Sequence, residues 1–240
     1  MSVLHVRRGV FLFVLGVLGA IASAQLRYDV TEIKVPNQSR VEPTGINDLG
    51  QVVGLVDQLP QGNSLPFIYS GGTVTMLDLP TGYPSAAPHA INKDGTIVGQ
   101  ATGIFNGATD QRGFIYQNGQ YHLLSVPGDA IAINDAGHIA GQTNDAMFYD
   151  GSVHDLGFRG AANAINTRDQ LAGGGIQYAF FYDGTVHYLG ALPGDDTSSA
   201  GGLNDAGTVV GTSSNFLGNI RHAFTTERCD AASGLAGWPE

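Results

Sequence analysis

Short apolar stretches alternate with turn residues along most of the chain, and the alternation is periodic. An apolar residue, then Asn-Asp-x-Gly or a close variant, then an apolar stretch, occurs five times. The copies are Ile46-Asn47-Asp48-Leu49-Gly50, Ile91-Asn92-Lys93-Asp94-Gly95, Ile133-Asn134-Asp135-Ala136-Gly137, Ile165-Asn166-Thr167-Arg168-Asp169 and Leu203-Asn204-Asp205-Ala206-Gly207. Asn, Asp and Gly tolerate the positive φ of tight turns between antiparallel strands, so each copy predicts a hairpin. Gly50, Gly95, Gly137 and Gly207 occupy the expected left-handed position, and Asp169 takes it in the fourth copy. The pairs that follow, such as Val52-Val53, Ile97-Val98 and Val209-Val210, suit strands. The recurring Asn is read as capping its own turn rather than as a ligand. A second glycine stands seven residues after each Asn: Gly54, Gly99, Gly141, Gly173 and Gly211.

The Asn-to-Asn spacings are 45, 42, 32 and 38 residues. A period near 40 built from strands alone predicts propeller blades or a β-solenoid. The third unit reads as four strands, at 130–133, 139–142, 146–149 and 152–156, with Asp150-Gly151 as the second hairpin turn. Third strands recur at 66–69, 113–116, 179–182 and 223–224, and fourth strands at 74–79, 121–124 and 186–189. The first strand is rich in Ala and Gly, as expected where blades converge. The fifth unit lacks a good fourth strand. A strand predicted over 28–33 could supply it and close a ring of five four-stranded blades, which would remove the exposed sheet edges. An open array is the rival arrangement. The stretches 101–112 and 213–221 read as long loops between second and third strands, where binding would be sought.

The N-terminus is of a different kind. Arg7 and Arg8 precede an apolar run over 9–21, which ends in Ala22-Ser23-Ala24. This is the pattern of a secretory signal peptide over residues 1–24, cleaved after Ala24. The expected division is then a repeat domain over 25–228 and a C-terminal tail over 229–240, in a secreted, extracellular or periplasmic protein with no membrane span once the signal is removed. The full chain has a formal net charge of −10. Cleavage removes Arg7 and Arg8 and no acid, leaving −12. Such a surface repels nucleic acid and anionic lipid. Glycine, at 35 of 240 residues, is about twice its usual share. The single cysteine, Cys229, rules out an intramolecular disulfide.

At His222-Ala223-Phe224 and Asp155-Leu156-Gly157, with Ile-Asn-x-x-Gly-x-Val-Val-Gly approached best in the first and fifth units, the chain resembles the bacterial extracellular HAF-repeat family. The resemblance covers roughly residues 27 to 226. It implies export and surface association, with no general enzymatic activity. The triplet departs at Leu65-Pro66-Phe67, Arg112-Gly113-Phe114, Asp145-Ala146-Met147 and Tyr178-Ala179-Phe180, so its His is not expected to be a required ligand. No apolar tail follows Trp238, so a C-terminal sorting anchor is not expected.

Candidate chemistry is sparse. His122, His154 and His187 share a place in the fourth strand of successive units, too far apart for one metal. His89 and His138 read as isolated. Asp195-Asp196 is the one adjacent acidic pair in a loop, and a five-bladed hydrolase would need such paired acids. Most other acids recur with the repeat and belong to turns. Tyr69, Tyr116, Tyr149 and Tyr182 recur at the end of the third strand, either as packing between blades or as sugar-stacking faces. No catalytic residue, metal site or cofactor is assigned, and no ligand-binding residue is singled out. The expected function is a secreted, non-enzymatic interaction module for a protein or glycan partner. The alternatives are a carbohydrate-binding propeller and, below that, a glycoside hydrolase.

Overall fold

The computed structural model describes residues 30–36, 40–58, 62–216 and 220–226. The chain divides into two units, Met1–Glu32 and Ile33–Glu240. Of the first, only residues 30–32 are described, and they are irregular. The expected signal peptide, the tail over 229–240 and Cys229 lie outside the described residues.

Among the described residues of the second unit there are five antiparallel sheets and no helix. The first holds β1 (Val41–Ile46), β2 (Val52–Gln58), β3 (Asn63–Ser70) and β4 (Thr73–Met76). The second holds β5 (Ser85–Ile91), β6 (Ile97–Phe105), β7 (Ala108–Gln117) and β8 (Gln120–Pro127). The third holds β9 (Asp129–Ile133), β10 (Ile139–Gln142), β11 (Ala146–Tyr149) and β12 (Val153–Asp155). The fourth holds β13 (Gly160–Ile165), β14 (Leu171–Gly175), β15 (Ala179–Tyr182) and β16 (Val186–Gly190). The fifth has three strands, β17 (Thr197–Leu203), β18 (Val209–Ser214) and β19 (Arg221–Thr225). Every sheet is a meander in chain order, as the hairpin spacing predicts. The turn glycines adopt the expected left-handed backbone, and Asp169 does so too, at φ 59°.

The first strand of each sheet lies against the preceding sheet. β5 meets β1, β2 and β3, and β9, β13 and β17 repeat this arrangement one sheet further on. Each junction is an apolar layer. Val53 meets Ile91 and Ile97, and Val98 meets Ile133 and Ile139. Ala140 meets Ile165 and Leu171, and Ala172 meets Leu203 and Val209. Phe67, Phe114, Met147 and Phe180 stand at one repeat position and are fully buried. Burying each such side chain contributes about 1.5–3 kcal/mol.

Two devices shape each sheet. The first strand carries a β-bulge, so that Thr44, His89, Ile131, Asn163 and Gly201 fall out of register with the second strand. Opposite the bulge stands the second repeated glycine. A Cβ there would lie 2.1 Å from the Asp129 carbonyl oxygen at Gly141 and 1.9 Å from that of Ala161 at Gly173. The backbones approach too closely for any side chain, and this accounts for a glycine whose φ is ordinary.

The structure corrects two expectations. Residues 30–33 form no strand, while Tyr28 and Asp29 lie outside the described residues. Ile33 and Val35 instead pack with Val56 and Phe67 on the first sheet. Among the described residues the fifth sheet ends at β19, and no contact of comparable extent joins it to the first sheet. Second, 101–112 is no loop. β6 and β7 extend through it as a long hairpin, turning at Asn106 (φ 52°) and Gly107 (φ 79°).

Candidate functional site

The adjacent acids Asp195 and Asp196 are bound to different partners. The Asp195 side chain is almost wholly buried, with His222 Nδ1 2.9 Å from its Oδ2. The hydrogen bond from His222, helped by Ser213, holds its carboxyl below the usual range. The Asp196 Oδ2 accepts the Phe216 N–H at 2.8 Å. Both acids fasten the chain around β19, and His222 of the His-Ala-Phe triplet is engaged in the same task.

The other titratable side chains have similar structural duties. His154 Nε2 lies 2.8 Å from Asp150 Oδ1, and His187 Nε2 lies 3.0 Å from Asp183 Oδ1, each across its own hairpin turn. Their rings lie over Phe148 and Phe181. His122 is exposed on β8. The four repeated tyrosines are half-buried and pack within the sheet clusters. His89 and His138 are not isolated. His138 Nδ1 is 2.8 Å from Asp169 Oδ1. His89, at the bulge of β5, has Nδ1 3.1 Å from Asp129 Oδ1. The two atoms are close enough for ionic attraction but are not aligned as a hydrogen bond. Burial works to lower the His89 pKa, but Asp129 and a backbone hydrogen bond to Ala130 outweigh it, and the net shift is upward.

The repeated Asn does more than cap. Asn134 Oδ1 accepts the N–H groups of Ala136 and His138, at 3.1 and 3.0 Å. Its Nδ2 donates across to the Asn166 carbonyl at 2.9 Å and to Asp169 Oδ1 at 2.8 Å. The same forward bond runs from Asn47 to the Asn92 carbonyl, from Asn92 to that of Asn134 and from Asn166 to that of Asn204. Four bonds thus join five sheets as a one-way ladder. Two flanking bonds reinforce it: the Lys93 N–H donates to Asp135 Oδ1, and the Thr167 N–H to Asp205 Oδ1.

Two hollows lie beside the extended β6–β7 hairpin. A cleft of about 800 Å³ opens between the second and third sheets. One wall is the extended β6–β7 hairpin, with Gln100, Thr109, Asp110 and Gln111, and the other carries Gln142 and Asn144. A second hollow of about 410 Å³, which shares Thr109 and Asp110 with the cleft, is also lined by Tyr83, Phe105 and Arg112. Tyr83 OH donates to Asp110 Oδ2 at 2.6 Å, and Arg112 Nε donates to the same oxygen at 3.0 Å. These bonds, Tyr83's first, hold the Asp110 carboxyl below its usual range. Burial, and then Asp110 itself, pushes the Tyr83 phenol up. Phe105 lies against Tyr83, ring centroids 5.2 Å apart, and remains partly exposed beside Ile104. The arrangement offers amides, hydroxyls and one fixed carboxylate next to an aromatic edge. A carboxylate held ionised is the wrong form for a proton donor.

The sequence marked this hairpin only by its length. The Asn106-Gly107 dipeptide is the signal that could have located its turn. Among the described residues no group of three His, Cys, Asp or Glu side chains is placed to hold a metal, and no helix is long and apolar enough to cross a membrane. No protein-family model matches the chain, and no curated protein matches it either.

Proposed function

We propose that the chain is an exported, non-catalytic interaction module of the HAF-repeat kind. Its five sheets act as the blades of an incomplete propeller, and the cleft between the second and third blades is its binding surface. The observation that carries the reading is the division of labour among polar side chains. Asp195, Asp196, His154, His187 and His138 are tied to turns and strands, whereas Gln142 and Asn144 face a wide groove. The leader over residues 1–24 and the His-Ala-Phe phrase support export.

A second reading, a carbohydrate ligand, is favoured by Phe105 beside Asp110. Sugars are bound by planar polar groups that take their hydroxyls and by aromatic faces that take their C–H edges. The test is a glycan array followed by calorimetry on the wild type and on Gln142→Ala/Asn144→Ala. Glycan binding that weakens about tenfold or more in the double variant places a sugar in the cleft. Saturable binding to cell envelopes that free glycans do not compete for, and that the double variant loses, indicates a protein partner there. Turnover of glycoside substrates that disappears in Asp110→Asn removes the non-catalytic reading.

A further inference from the structure

The ladder and the apolar layers both stop short at their ends, and the two ends are complementary. At every internal junction a residue of the second strand meets the apolar residue before the next Asn: Val53 with Ile91, Val98 with Ile133, Ala140 with Ile165, Ala172 with Leu203. The next pair in this series is Val210 with Ile46. Val53 and Val98 are wholly buried and Ile91 is 6% exposed, whereas Val210 is 49% exposed and Ile46 70%. The polar ladder leaves the same remainder. Among the described residues the Asn204 amide reaches no carbonyl, and the Asn47 carbonyl receives only the Gly50 N–H of its own turn. Asp48 stands where Asp135 and Asp205 each accept an N–H from the sheet before, and the Asp205 N–H stands where Lys93 and Thr167 donate theirs. One end of the chain thus presents donors and Val210, and the other presents acceptors and Ile46, in the register used four times inside it.

We propose that this surface takes a second copy of the chain, the first sheet of one copy docking on the fifth sheet of another. Asn204 then donates to the partner's Asn47 carbonyl and Val210 covers Ile46. The packing of Ile33 and Val35 on the first sheet fits this arrangement. Ile33-Lys34-Val35-Pro36 repeats the pattern of Leu77-Asp78-Leu79-Pro80, and Leu77 and Leu79 pack on the second sheet without hindering its junction with the first. The contact is head to tail, so it propagates as a larger ring or a filament rather than closing as a symmetric pair. Thr225 occupies the place of Ile115, Phe148 and Phe181, which makes this junction less apolar than the internal ones and its association reversible.

The test uses the full chain with Cys229→Ser, so that the native thiol plays no part. Ile46→Cys and Val210→Cys chains are oxidised separately, mixed, and as a double variant in one chain. Both positions are exposed in the single chain, so neither change threatens folding. A disulfide-linked dimer that forms in the mixture and not in either chain alone, with a ladder of multimers from the double variant, is the expected result. Sedimentation velocity of the wild type should show association rising with concentration, weakened about tenfold or more by Val210→Lys, which buries a lone charge. The proposal is overturned if either single variant dimerises as well as the mixture, if the double variant closes only within one chain, or if the wild type sediments as a monomer throughout.

Discussion

Removing one rung of the asparagine ladder should cost far more in the middle of the chain than at its end. Asn134 is 6% exposed and its side chain makes four hydrogen bonds, two accepted from N–H groups of its own turn and two donated towards the fourth sheet. Asn134→Ala strands the Ala136 and His138 amides and breaks both forward bonds, for a loss of about 3 kcal/mol. Asn204 makes one such bond, to the exposed Thr208 N–H, so Asn204→Ala should cost about 0.5–1 kcal/mol. Asn134→Asp separates the two roles. It keeps the turn cap but sets a carboxylate where Nδ2 now meets Asp169 Oδ1, so it should be strongly destabilising at neutral pH and recover part of the loss as acidification lets the pair share a proton. Urea unfolding followed by circular dichroism, with the slope checked for constancy, measures all three. Equal losses at 134 and 204, or an Asp variant as stable as the wild type at pH 7, would refute the ladder as a stabilising element.

Two further outcomes follow from the packing. Gly173→Ala forces a Cβ to within 1.9 Å of the Ala161 carbonyl and should cost at least about 3 kcal/mol in thermal or urea unfolding. Gly137→Ala meets no neighbour at φ +85° and should cost only about 1–2 kcal/mol. The raised His89 pKa means that the folded state binds that proton more tightly than the unfolded chain. Its contribution is therefore fully present below the unfolded value near 6.5 and is lost as pH rises through the higher folded value. Melting temperatures at pH 5.5 and 8.5 should show a drop with rising pH that is smaller in His89→Gln.

What the sequence disclosed was local, and what it concealed depended on one sheet meeting another. The third unit's strands stand within a residue or two of their predicted bounds, because Asn134 to Gly137 and Asp150-Gly151 fix both turns through backbone preferences alone. The Asn cap was legible for the same reason, since Oδ1 reaches groups two and four residues on. The forward bond from Nδ2 was not, because its acceptor lies 32 to 45 residues away on another sheet. The glycine seven residues after each Asn was visible as a repeat, but its cause is a carbonyl in a bulged neighbouring strand, and the bulge leaves no mark in composition. Residues 101–112 read as a loop because they lengthen the connection between second and third strands, although the hairpin pairs residue by residue from Ile97 to Phe105. The cleft beside it arises from the spacing of two sheets, which no single stretch encodes.

The bulge also separates what must stay fixed from what is free to change. Its partner glycine and the flanking small residues are set by close backbone contact, while the bulged residue itself is Thr44, His89, Ile131, Asn163 or Gly201. Polar, ionisable, aliphatic and absent side chains all occupy one position of one repeat. His89 and Asn163 reach the next sheet through Asp129 and the Ala200 carbonyl, so a library randomised at Thr44, Ile131 and Gly201 alone should keep the scaffold intact while altering the row of side chains along the strands where the sheets adjoin. Diversity is thereby confined to positions that the backbone geometry does not constrain.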